Sequence, residues 1–416
     1  MARKISAPRG THDLLPEEAP TWERVEAVVR DLSSRYGFER IDTPIFERIE
    51  LFARGLGESS DAVEKEMFRV SGAKGSEEER SEWALRPEPT AGIVRAYIEH
   101  GMHVRPSPLR LWMLGPMFRY ARPQAGRYRE FTQWDVEVIG DPGPMVDAEL
   151  IELAHRFYAE VGLRGVVAHL NSIGDMVCRA RYRDALTEYF APLSSRLSAD
   201  SQRRLQVNPL RVLDDKDLDP ELAAGAPKAL DYLCEACREH FEGLRELLGR
   251  LGVRYEINHR LVRGLDYYAL GGGGRYDGLI EVLGGRPAPA IGFGLGIDRT
   301  VIGAQKQQVT LPARTPLVAV VSASPDDAPR RLEVATALRD AGLRVRTDGL
   351  SRTLSKQLEA AAKAGARWAV LLGEPGLARA TLRDLESGDQ QDLALDTLAA
   401  EVVRAVDHRT PSRGSK

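Results

Sequence analysis

Residues 263–299 read RGLDYYALGGGGRYDGLIEVLGGRPAPAIGFGLGIDR, and this stretch predicts the wall of a nucleotide site. An arginine, an aspartate and two tyrosines precede four consecutive glycines, and a second glycine series ends in Arg299. Glycine lets the backbone come close to a ligand because no Cβ intervenes. A guanidinium beside such backbone matches the oxygens of a phosphate. We therefore expect this segment to line a phosphate-containing ligand.

The second glycine series, GFGLGIDR at 292–299, has a glycine at every second position of a predicted strand. One face of that strand is then bare, and a flat or bulky group can lie against it; tight helix–strand packing is the other explanation. No GxxxxGK[ST] motif occurs, which excludes a P-loop protein. GGGGRYDG does not fit a Rossmann loop well. Such a loop requires a strand–turn–helix around the glycines and an acidic residue further along the chain, and this sequence matches both requirements poorly.

Composition limits the classes of protein further. The 416 residues predict two or three domains, and a net charge of −3 restricts nucleic-acid contacts to local arginine clusters. Three cysteines, Cys178, Cys234 and Cys237, argue against a disulfide framework and for a reducing compartment. Cys234 and Cys237 form one CxxC; with no second ligand pair nearby, two thiols on one helix are favoured over a metal site. No signal peptide or membrane span is predicted, so we expect a cytoplasmic protein.

The order of patterns predicts one catalytic domain in two parts, interrupted by an insertion and followed by a smaller domain. Charged, helical sequence without glycine clusters forms the insertion, and strands alternating with helices predict an α/β fold for the last domain. Within the first part, Asp147 is expected to cap a helix that ends near Gly162. The expected boundaries are 1–169 and 257–303 for the catalytic domain, 170–256 for the insertion, 304–316 for a linker, 317–408 for the last domain and 409–416 for a frayed tail.

Two polar segments predict ligand contacts. In LRPEPTA at 85–91, Glu88 and Thr90 lie on one side of an extended segment, as suits an ammonium group, although a solvated turn explains them equally. In FRYARPQAGRYREFTQWDVE at 118–137, four arginines surround a glycine and suit a polyanion, and Phe131 can stack. On the strand that follows, three polar side chains share a face, which a plain core strand rarely shows. They are Gln133, Asp135 and Glu137.

These motifs resemble those of the histidyl-tRNA synthetases, a family of class II aminoacyl-tRNA synthetases, over nearly all of the chain. YGFERIDTPIFE at 36–47 resembles motif 1 with its proline, FRYARPQAGRYREF resembles motif 2, and GFGLGIDR resembles motif 3. RGTHDLLP at 9–16 resembles the segment that opens the family's catalytic domain. Motifs 1 to 3 specify the class, whereas RGLDYY with GGRYDG is the pair of signatures specific for histidine.

The resemblance implies an α+β catalytic domain with a mainly antiparallel sheet, a helical insertion and a C-terminal α/β anticodon-binding domain. It implies ATP-dependent ligation of L-histidine to tRNA(His) through histidyl-adenylate, with release of AMP and diphosphate. ATP would be a substrate with Mg²⁺ bridging its terminal phosphates, and motif 1 would form a homodimer. The protein itself is expected to supply no metal ligands.

The resemblance also assigns roles to residues. Arg119 and Arg263 would be catalytic and hold the α-phosphate from two sides. ATP would further contact Arg127, and adenine would lie between Phe131 and Arg299. Arg122 and Gln124 would face the tRNA acceptor end. The residues implied to bind histidine are Glu88, Thr90, Gln133, Glu137, Tyr267, Tyr268 and Tyr276.

The chain departs from the family pattern at three places. Ala121 stands where motif 2 has a glutamate, and Pro89 stands where a glycine is usual. Between Tyr268 and Gly271 a strand, loop and returning strand are missing, either because the chain has lost them or because the sequence omits them. Two other functions therefore stay open: a non-catalytic paralogue that senses histidine and regulates a biosynthetic enzyme, and a tRNA-binding protein without catalysis.

Overall fold

The structure is a computed structural model of the 416-residue chain, and it describes residues 5–56, 66–70, 83–123, 126–215, 217–261, 269–309, 316–324, 327–347, 353–374 and 378–408. The chain divides into two compact units, Met1–Thr310 and Leu311–Lys416. Each unit has hydrophobic clusters of its own. In the described ranges, no helix has both the length and the apolar character needed to cross a membrane.

The described part of the first unit contains both strands and helices. Its strands are β1 (Glu39–Arg40), β2 (Phe46–Arg48), β3 (Arg69–Val70), β4 (Trp83–Leu85), β5 (Leu109–Phe118), β6 (Glu130–Ile139), β7 (Ala168–Leu170), β8 (Tyr255–Ile257), β9 (Gly271–Arg275) and β10 (Ala290–Gly296). Its helices are α1 (Ala19–Arg35), α2 (Ile49–Leu56), α3 (Thr90–Glu99), α4 (Pro144–Val161), α5 (Met176–Phe190), α6 (Ala199–Val207), α7 (Pro220–Gly225), α8 (Glu235–Arg250), α9 (Leu279–Val282) and α10 (Ile297–Lys306).

A five-stranded sheet, ordered β1-β5-β6-β10-β9, forms the centre of this unit. Only β1 runs parallel to its neighbour; the pairs β5–β6, β6–β10 and β10–β9 are antiparallel. Because side chains alternate along a strand, Trp134, Val136 and Val138 of β6 lie on one face and pack in the main core with α1 and α4. The predicted mainly antiparallel catalytic sheet is therefore confirmed.

Helix α4 begins earlier than expected, because Pro144 occupies its first turn and Asp147 lies inside the helix. Asp147 is buried, and its carboxylate accepts a hydrogen bond from Arg275 Nε at 3.0 Å and lies 2.7 Å from His240 Nε2. The prediction that Asp147 caps the helix was wrong, since its carboxylate binds side chains from β9 and α8. Gly162, with φ of +98°, ends the helix as predicted.

The segment between β7 and β8 is helical, with α5, α6, α7, α8 and short 3₁₀ turns. β7 and β8 pair in parallel, so the chain leaves and re-enters the unit at neighbouring strands. Helices α5 and α7 contribute to a separate apolar cluster that includes Tyr182, Phe190 and Leu222. The insertion thus has a core of its own.

The second unit contains β11 (Leu317–Ser322), α11 (Ala328–Asp340), β12 (Arg344–Arg346), α12 (Leu354–Lys363), β13 (Ala366–Leu372), β14 (Arg379–Asp384), β15 (Gln390–Ala394) and α13 (Leu398–His408). Its sheet is ordered β12-β11-β13-β14-β15. The first three strands are parallel, and the last two form the antiparallel hairpin that turns near Ser387. This α/β arrangement agrees with the fold predicted for the C-terminal domain.

Candidate active site

Three buried polar side chains of β6 form the floor of the site. Glu137 is 1% exposed, Asp135 is 2% exposed and Gln133 is 9% exposed. All three project from the face of the sheet opposite the main core, because they alternate with Trp134 and Val136. A row of buried polar groups needs partners, and the neighbouring strands determine which partners can reach it.

The strand beside β6 carries a glycine opposite each of these side chains. In the register of β10 against β6, Gly292 lies opposite Glu137 and Gly294 lies opposite Asp135. A Cβ atom on Gly292 would lie 1.8 Å from Glu137 Oε2, and one on Gly294 would lie 2.2 Å from Gln133 Nε2. The side chains of β6 therefore lie across the bare face of β10, which is the reason for the alternating glycines in motif 3.

Glu137 is the point at which three elements meet. Thr90 Oγ1, at the start of α3, donates to Glu137 Oε1 at 2.6 Å. The hydroxyl of Tyr276, directly after β9, donates to Glu137 Oε2. Burial nevertheless raises the pKa of Glu137 to about 8, with the two hydrogen bonds acting in the opposite direction. Of the residues predicted to bind histidine, the structure thus brings Thr90, Glu137 and Tyr276 into direct contact.

Glu88 also has a local role at the start of α3. Its carboxylate accepts a hydrogen bond from the backbone N–H of Ala91 at 3.2 Å, in the first turn of α3. Burial raises the pKa of Glu88, and hydrogen bonds from Ala91 and Thr90 and the positive charge of Arg119 partly offset that rise. Pro89 occupies the N-cap position of the same helix. The LRPEPTA segment therefore leads from the end of β4 at Leu85 into the first turn of α3, with its arginine and both prolines buried, and the interpretation as a solvated turn was wrong.

Two acceptor atoms on the floor have no hydrogen-bond partner among the described residues. They are Gln133 Oε1 and Asp135 Oδ2, and both are buried. Gln133 Nε2 donates to Asp135 Oδ1 at 3.0 Å, which leaves the remaining oxygens to accept from another group. Burial and the nearby charges of Glu137 and Glu88 raise the pKa of Asp135 well above its ordinary value. An ammonium group is a donor that would satisfy these oxygens.

Asp135 is therefore a candidate site residue that was missing from the predicted ligand set. Its signal was present in the sequence, since Gln133, Asp135 and Glu137 alternate on one strand. The alternation indicated a shared face but did not show that one oxygen of Asp135 would be buried without a partner.

Arg119 lies at the end of β5, near the carboxylates. Its Nε donates to the backbone oxygen of Pro87 at 2.8 Å, and its guanidinium lies 5.2 Å from the ring centroid of Phe131. Burial lowers the pKa of Arg119, while the negative charges of Glu66 and Glu88 oppose that decrease. The guanidinium is thus held in one orientation by a backbone acceptor and an aromatic face, as a phosphate-binding group requires.

Arg127 lies on the loop that follows Arg119, and Arg299 lies on α10. Arg127 donates to Glu66 Oε1 at 2.7 Å. Arg299 donates to the backbone oxygen of Gly126 at 2.9 Å and to that of Ala269. Arg299 therefore joins motif 3 to the motif 2 loop and to the chain beside β9. In the described contacts, Arg119 lies over the Phe131 ring, while the placement of adenine between Phe131 and Arg299 stays a prediction.

Other arginines of these motifs support the fold. Arg86 is buried and donates to the backbone oxygens of Thr43 at 2.7 Å and Pro116 at 2.9 Å. Arg129 donates to the backbone oxygen of Arg9 at 3.2 Å and so attaches the RGTHDLLP segment. Ala121, the departure in motif 2, is itself buried.

The remaining predicted residues belong to the motif 2 loop and to the part of the sequence before Ala269. Arg122 is exposed on the motif 2 loop. Gln124, Arg263, Tyr267 and Tyr268 lie outside the described residues. The short Tyr268–Gly271 link also begins outside them; from Gly271 onward, β9 pairs with β10 in register.

Comparisons with known proteins agree over both units. The family model described as histidyl-tRNA synthetase matches residues 10–300, and the model described as anticodon binding domain matches residues 317–405. A histidine--tRNA ligase of Pelotomaculum thermopropionicum is 44% identical over 409 residues, covering 94% of this chain and 95% of the relative. One from Synechococcus sp. is 44% identical over 419 residues, covering 96% of this chain and 98% of the relative.

A solved structure gives the same result in three dimensions. The apo histidyl-tRNA synthetase of S. aureus has a TM-score of 0.78 and 32% sequence identity, and covers 96% of this chain and 99% of that chain. The alignment with the Pelotomaculum protein has 409 positions, but it covers only 94% of the 416 residues of this chain. The alignment therefore contains more positions than this chain has residues within it. That relative therefore has residues that this chain lacks.

Proposed function

Because the chain belongs to the histidyl-tRNA synthetase family, we infer that it ligates L-histidine to tRNA(His) at the expense of ATP, releasing AMP and diphosphate. The observation that carries the assignment of the site is the buried Glu137, which lies between the donors Thr90 and Tyr276 and across the bare glycines of β10. This pocket is lined by paired polar groups, as recognition of an imidazole ring requires.

The reaction consists of two transfers. A carboxylate oxygen of histidine attacks the α-phosphorus of ATP, and the bond to diphosphate breaks. A hydroxyl of the tRNA's 3′-terminal ribose then attacks the histidyl carbonyl, and AMP leaves. The histidine carboxyl group has a pKa near 3.5 and is already ionised at pH 7, so the first attack needs no general base. The protein's task is to align two anions and to stabilise charge on the α-phosphate.

We propose that Arg119 performs that stabilisation. Its guanidinium is oriented by the Pro87 oxygen and the Phe131 ring, and it lies near the carboxylates that would hold the amino acid. Arg263 would act from the other side, and Arg127 would reach the terminal phosphates after leaving Glu66. Adenine would stack on Phe131, with Arg299 holding the motif 2 loop beside it.

Histidine would be recognised at two ends. Glu137 would accept a hydrogen bond from the ring N–H, with Tyr276 closing the pocket and Tyr267 and Tyr268 contributing beside it. The ammonium group would bind to Glu88 and Thr90, and the partnerless oxygens of Gln133 and Asp135 add two acceptors for it. Since these oxygens are buried, a ligand without the ammonium would leave them unsatisfied and would bind poorly.

Mg²⁺ would accompany ATP. In the described residues, the one cluster of three or more potential metal ligands lies in the insertion, outside this site. That distribution fits a magnesium ion held mainly by the substrate's phosphates and water, with at most one or two carboxylates. When bound, the ion neutralises phosphate charge, and Arg127 and Arg119 remain the protein groups that orient the phosphates.

We propose three further properties. Arg122, with Gln124, would contact the tRNA acceptor end, and the C-terminal unit would bind the anticodon. The chain would form a homodimer through motif 1, where Ile45 is 46% exposed and Phe46 is 48% exposed; light scattering should then give twice the 46.0 kDa chain mass. The protein would work in the cytoplasm.

The test is histidine-dependent exchange of pyrophosphate into ATP. We expect exchange by the purified chain and a loss of about 10²–10³ in Arg119→Gln, the range seen for removal of one oxyanion-stabilising donor. Arg110 is a matched control because its guanidinium also lies over a phenylalanine ring, Phe38, at 5.5 Å. Arg110→Gln should retain exchange. Absence of exchange in the unchanged chain, with tRNA binding intact, would instead support a non-catalytic protein.

A further inference from the structure

Four potential metal ligands meet at the base of the insertion. They are Asp175, Cys178, Cys234 and Cys237, and their ligand atoms all lie within 4.8 Å of one another. The cluster contains every cysteine of the chain. Cys178 is buried, Cys234 and Cys237 are half-buried, and Asp175 is exposed. None of these residues belongs to the histidine or ATP site described above.

The two pairs are built by the starts of two helices. Asp175 is the N-cap of α5, where its Oδ1 accepts from the backbone N–H of Cys178 at 2.8 Å. Cys234 is the N-cap of α8, and Cys237 lies in the first turn of that helix. The spacings D-x-x-C and C-x-x-C therefore place both members of each pair at a helix start. Both helix N-termini favour negative charge, as thiolates and a carboxylate supply.

Contacts between the pairs show that they form one cluster. The backbone N–H of Cys234 donates to Cys178 Sγ at 3.0 Å, although 56 residues separate them. Cys234 Sγ lies 3.7 Å from Asp175 Oδ2. Gly174 permits this approach, since a Cβ there would lie 2.8 Å from Cys178 Sγ, and its φ of +64° suits glycine. The backbone is thus shaped around the sulfur atoms.

We propose that this cluster binds one zinc ion through the three thiolates and the Asp175 carboxylate. Zinc prefers four tetrahedral ligands, and cysteine sulfur and aspartate oxygen are among its ordinary ligands. With Zn–S distances of about 2.3 Å, the sulfur atoms of a tetrahedral site lie roughly 3.8 Å apart. A cluster within 4.8 Å needs a contraction of about 1 Å at most to reach that geometry.

The site would fasten the insertion. Its ligands come from the start of α5 and the start of α8, two helices that are separated by the 44 residues 191–234 of the sequence, and its cysteines pack in an apolar cluster that also contains Leu170 of β7. With four protein ligands the zinc would have no open position, which is the arrangement of a structural site. From the sequence, two thiols on one helix were favoured over a metal site because a single C-x-x-C lacks a second ligand pair; the fold supplies that pair as D-x-x-C.

A dithiol redox pair is the competing chemistry for C-x-x-C at a helix start. A Cys234–Cys237 disulfide would use two of the ligands and leave Cys178 and Asp175 beside it without a function. The packing of all four groups together favours zinc. The two cases differ in the number of free thiols in the denatured chain, because every cysteine belongs to the cluster.

The experiment measures zinc in the full chain purified without chelators. We expect about one zinc per chain, three thiols after denaturation, and slow thiol modification until a chelator is added. Asp175→Asn keeps a helix-capping residue but removes the anionic ligand, and it should weaken zinc retention against a chelating dye by at least about tenfold. Asp219→Asn is the matched control, since Asp219 caps α7 outside the cluster; it should retain zinc.

A second measurement does not depend on the folding of a variant. The reduced, zinc-free chain is titrated with Co²⁺, and absorption bands of cobalt–thiolate coordination that zinc then bleaches are expected. Absence of these bands, together with failure to hold zinc against the dye, would overturn the proposal. A single free thiol with no bound zinc would overturn it in favour of the redox pair.

Discussion

At the scale of the residue, the site depends on two opposing effects on the pKa of Glu137, namely burial and hydrogen bonding. Two hydroxyl groups donate to this carboxylate, yet burial raises its pKa to about 8. Removing water from around a carboxylate thus outweighs two hydrogen bonds to it. The free enzyme therefore holds Glu137 largely protonated at pH 7, and ring recognition has to be accompanied by loss of that proton or by a shared proton.

The pH dependence of the KM for histidine distinguishes these cases. If the bound state has an ionised Glu137 and a neutral ring, KM should fall as pH rises through the imidazole pKa near 6.5 and then through about 8. It should level off above the second value. Measurement of pyrophosphate exchange between pH 6 and pH 9 provides the profile. A constant KM between the two pKa values would instead indicate that the ring and the carboxylate share one proton in the bound state.

Glu137→Gln should abolish activity and make the folded chain more stable at alkaline pH. Because folding raises the pKa of Glu137 from its ordinary 4.5 to about 8, the wild-type chain loses stability as pH rises between these two values, whereas a glutamine does not titrate. We expect melting temperatures that are similar at pH 5 and higher by a few degrees in the variant at pH 9, with exchange activity lost. Glu256→Gln, a change at a carboxylate that is 67% exposed, should leave both profiles unchanged. Equal melting temperatures at pH 9 would contradict a buried charge at Glu137.

At the scale of the element, β9 and β10 form a ladder in which glycines face each other. Gly274 lies opposite Gly292, and Gly273 lies opposite Phe293. The alternation in motif 3 predicted a strand with a bare face, and the structure confirms the strand. The sequence did not reveal what covers that face, because the side chains that cover it come from β6, more than 150 residues earlier. Cys178 was not predicted to be a metal ligand for the same reason, since Cys234 and Cys237 lie more than 50 residues further along the chain.

Two adjacent glycines of β9 should respond differently to alanine. A Cβ on Gly273 would lie 2.1 Å from the backbone oxygen of Gly292, whereas a Cβ on Gly274 has no neighbour within 4 Å among the described residues. Gly273→Ala should therefore lower the melting temperature by several degrees and reduce exchange. Gly274→Ala should fold normally, but its methyl group lies on the Glu137 face and should raise the KM for histidine several-fold. Equal melting temperatures for both variants would contradict this account of the ladder.

At the scale of the whole molecule, the two compact units have separate cores and match separate family models. Amino-acid activation requires only groups of the first unit in the mechanism proposed above. Transfer of histidine to tRNA would also depend on the binding of the tRNA by the second unit. The two half-reactions should therefore respond differently when the connection between the units is cut.

A protease site inserted within residues 310–315 tests this division. After folding, cleavage and separation, the first unit should retain histidine-dependent exchange. Its kcat/KM for charging tRNA(His) should fall at least about tenfold, since binding contributions that are no longer linked do not add. The uncleaved protein with the same insertion is the control. Undiminished charging after separation would show that the second unit contributes nothing to tRNA binding.

The carboxylate of Asp147 has a consequence that extends beyond packing. It pairs with Arg275, the last residue of β9, and with His240 of the insertion helix α8. Tyr276, which follows Arg275 directly, donates to Glu137 in the pocket. A ligand that moves α8 would therefore displace a side chain that contacts Asp147, the residue that holds Arg275 at the edge of the pocket. By reciprocity, histidine and whatever binds the insertion would then alter each other's affinity by the same factor.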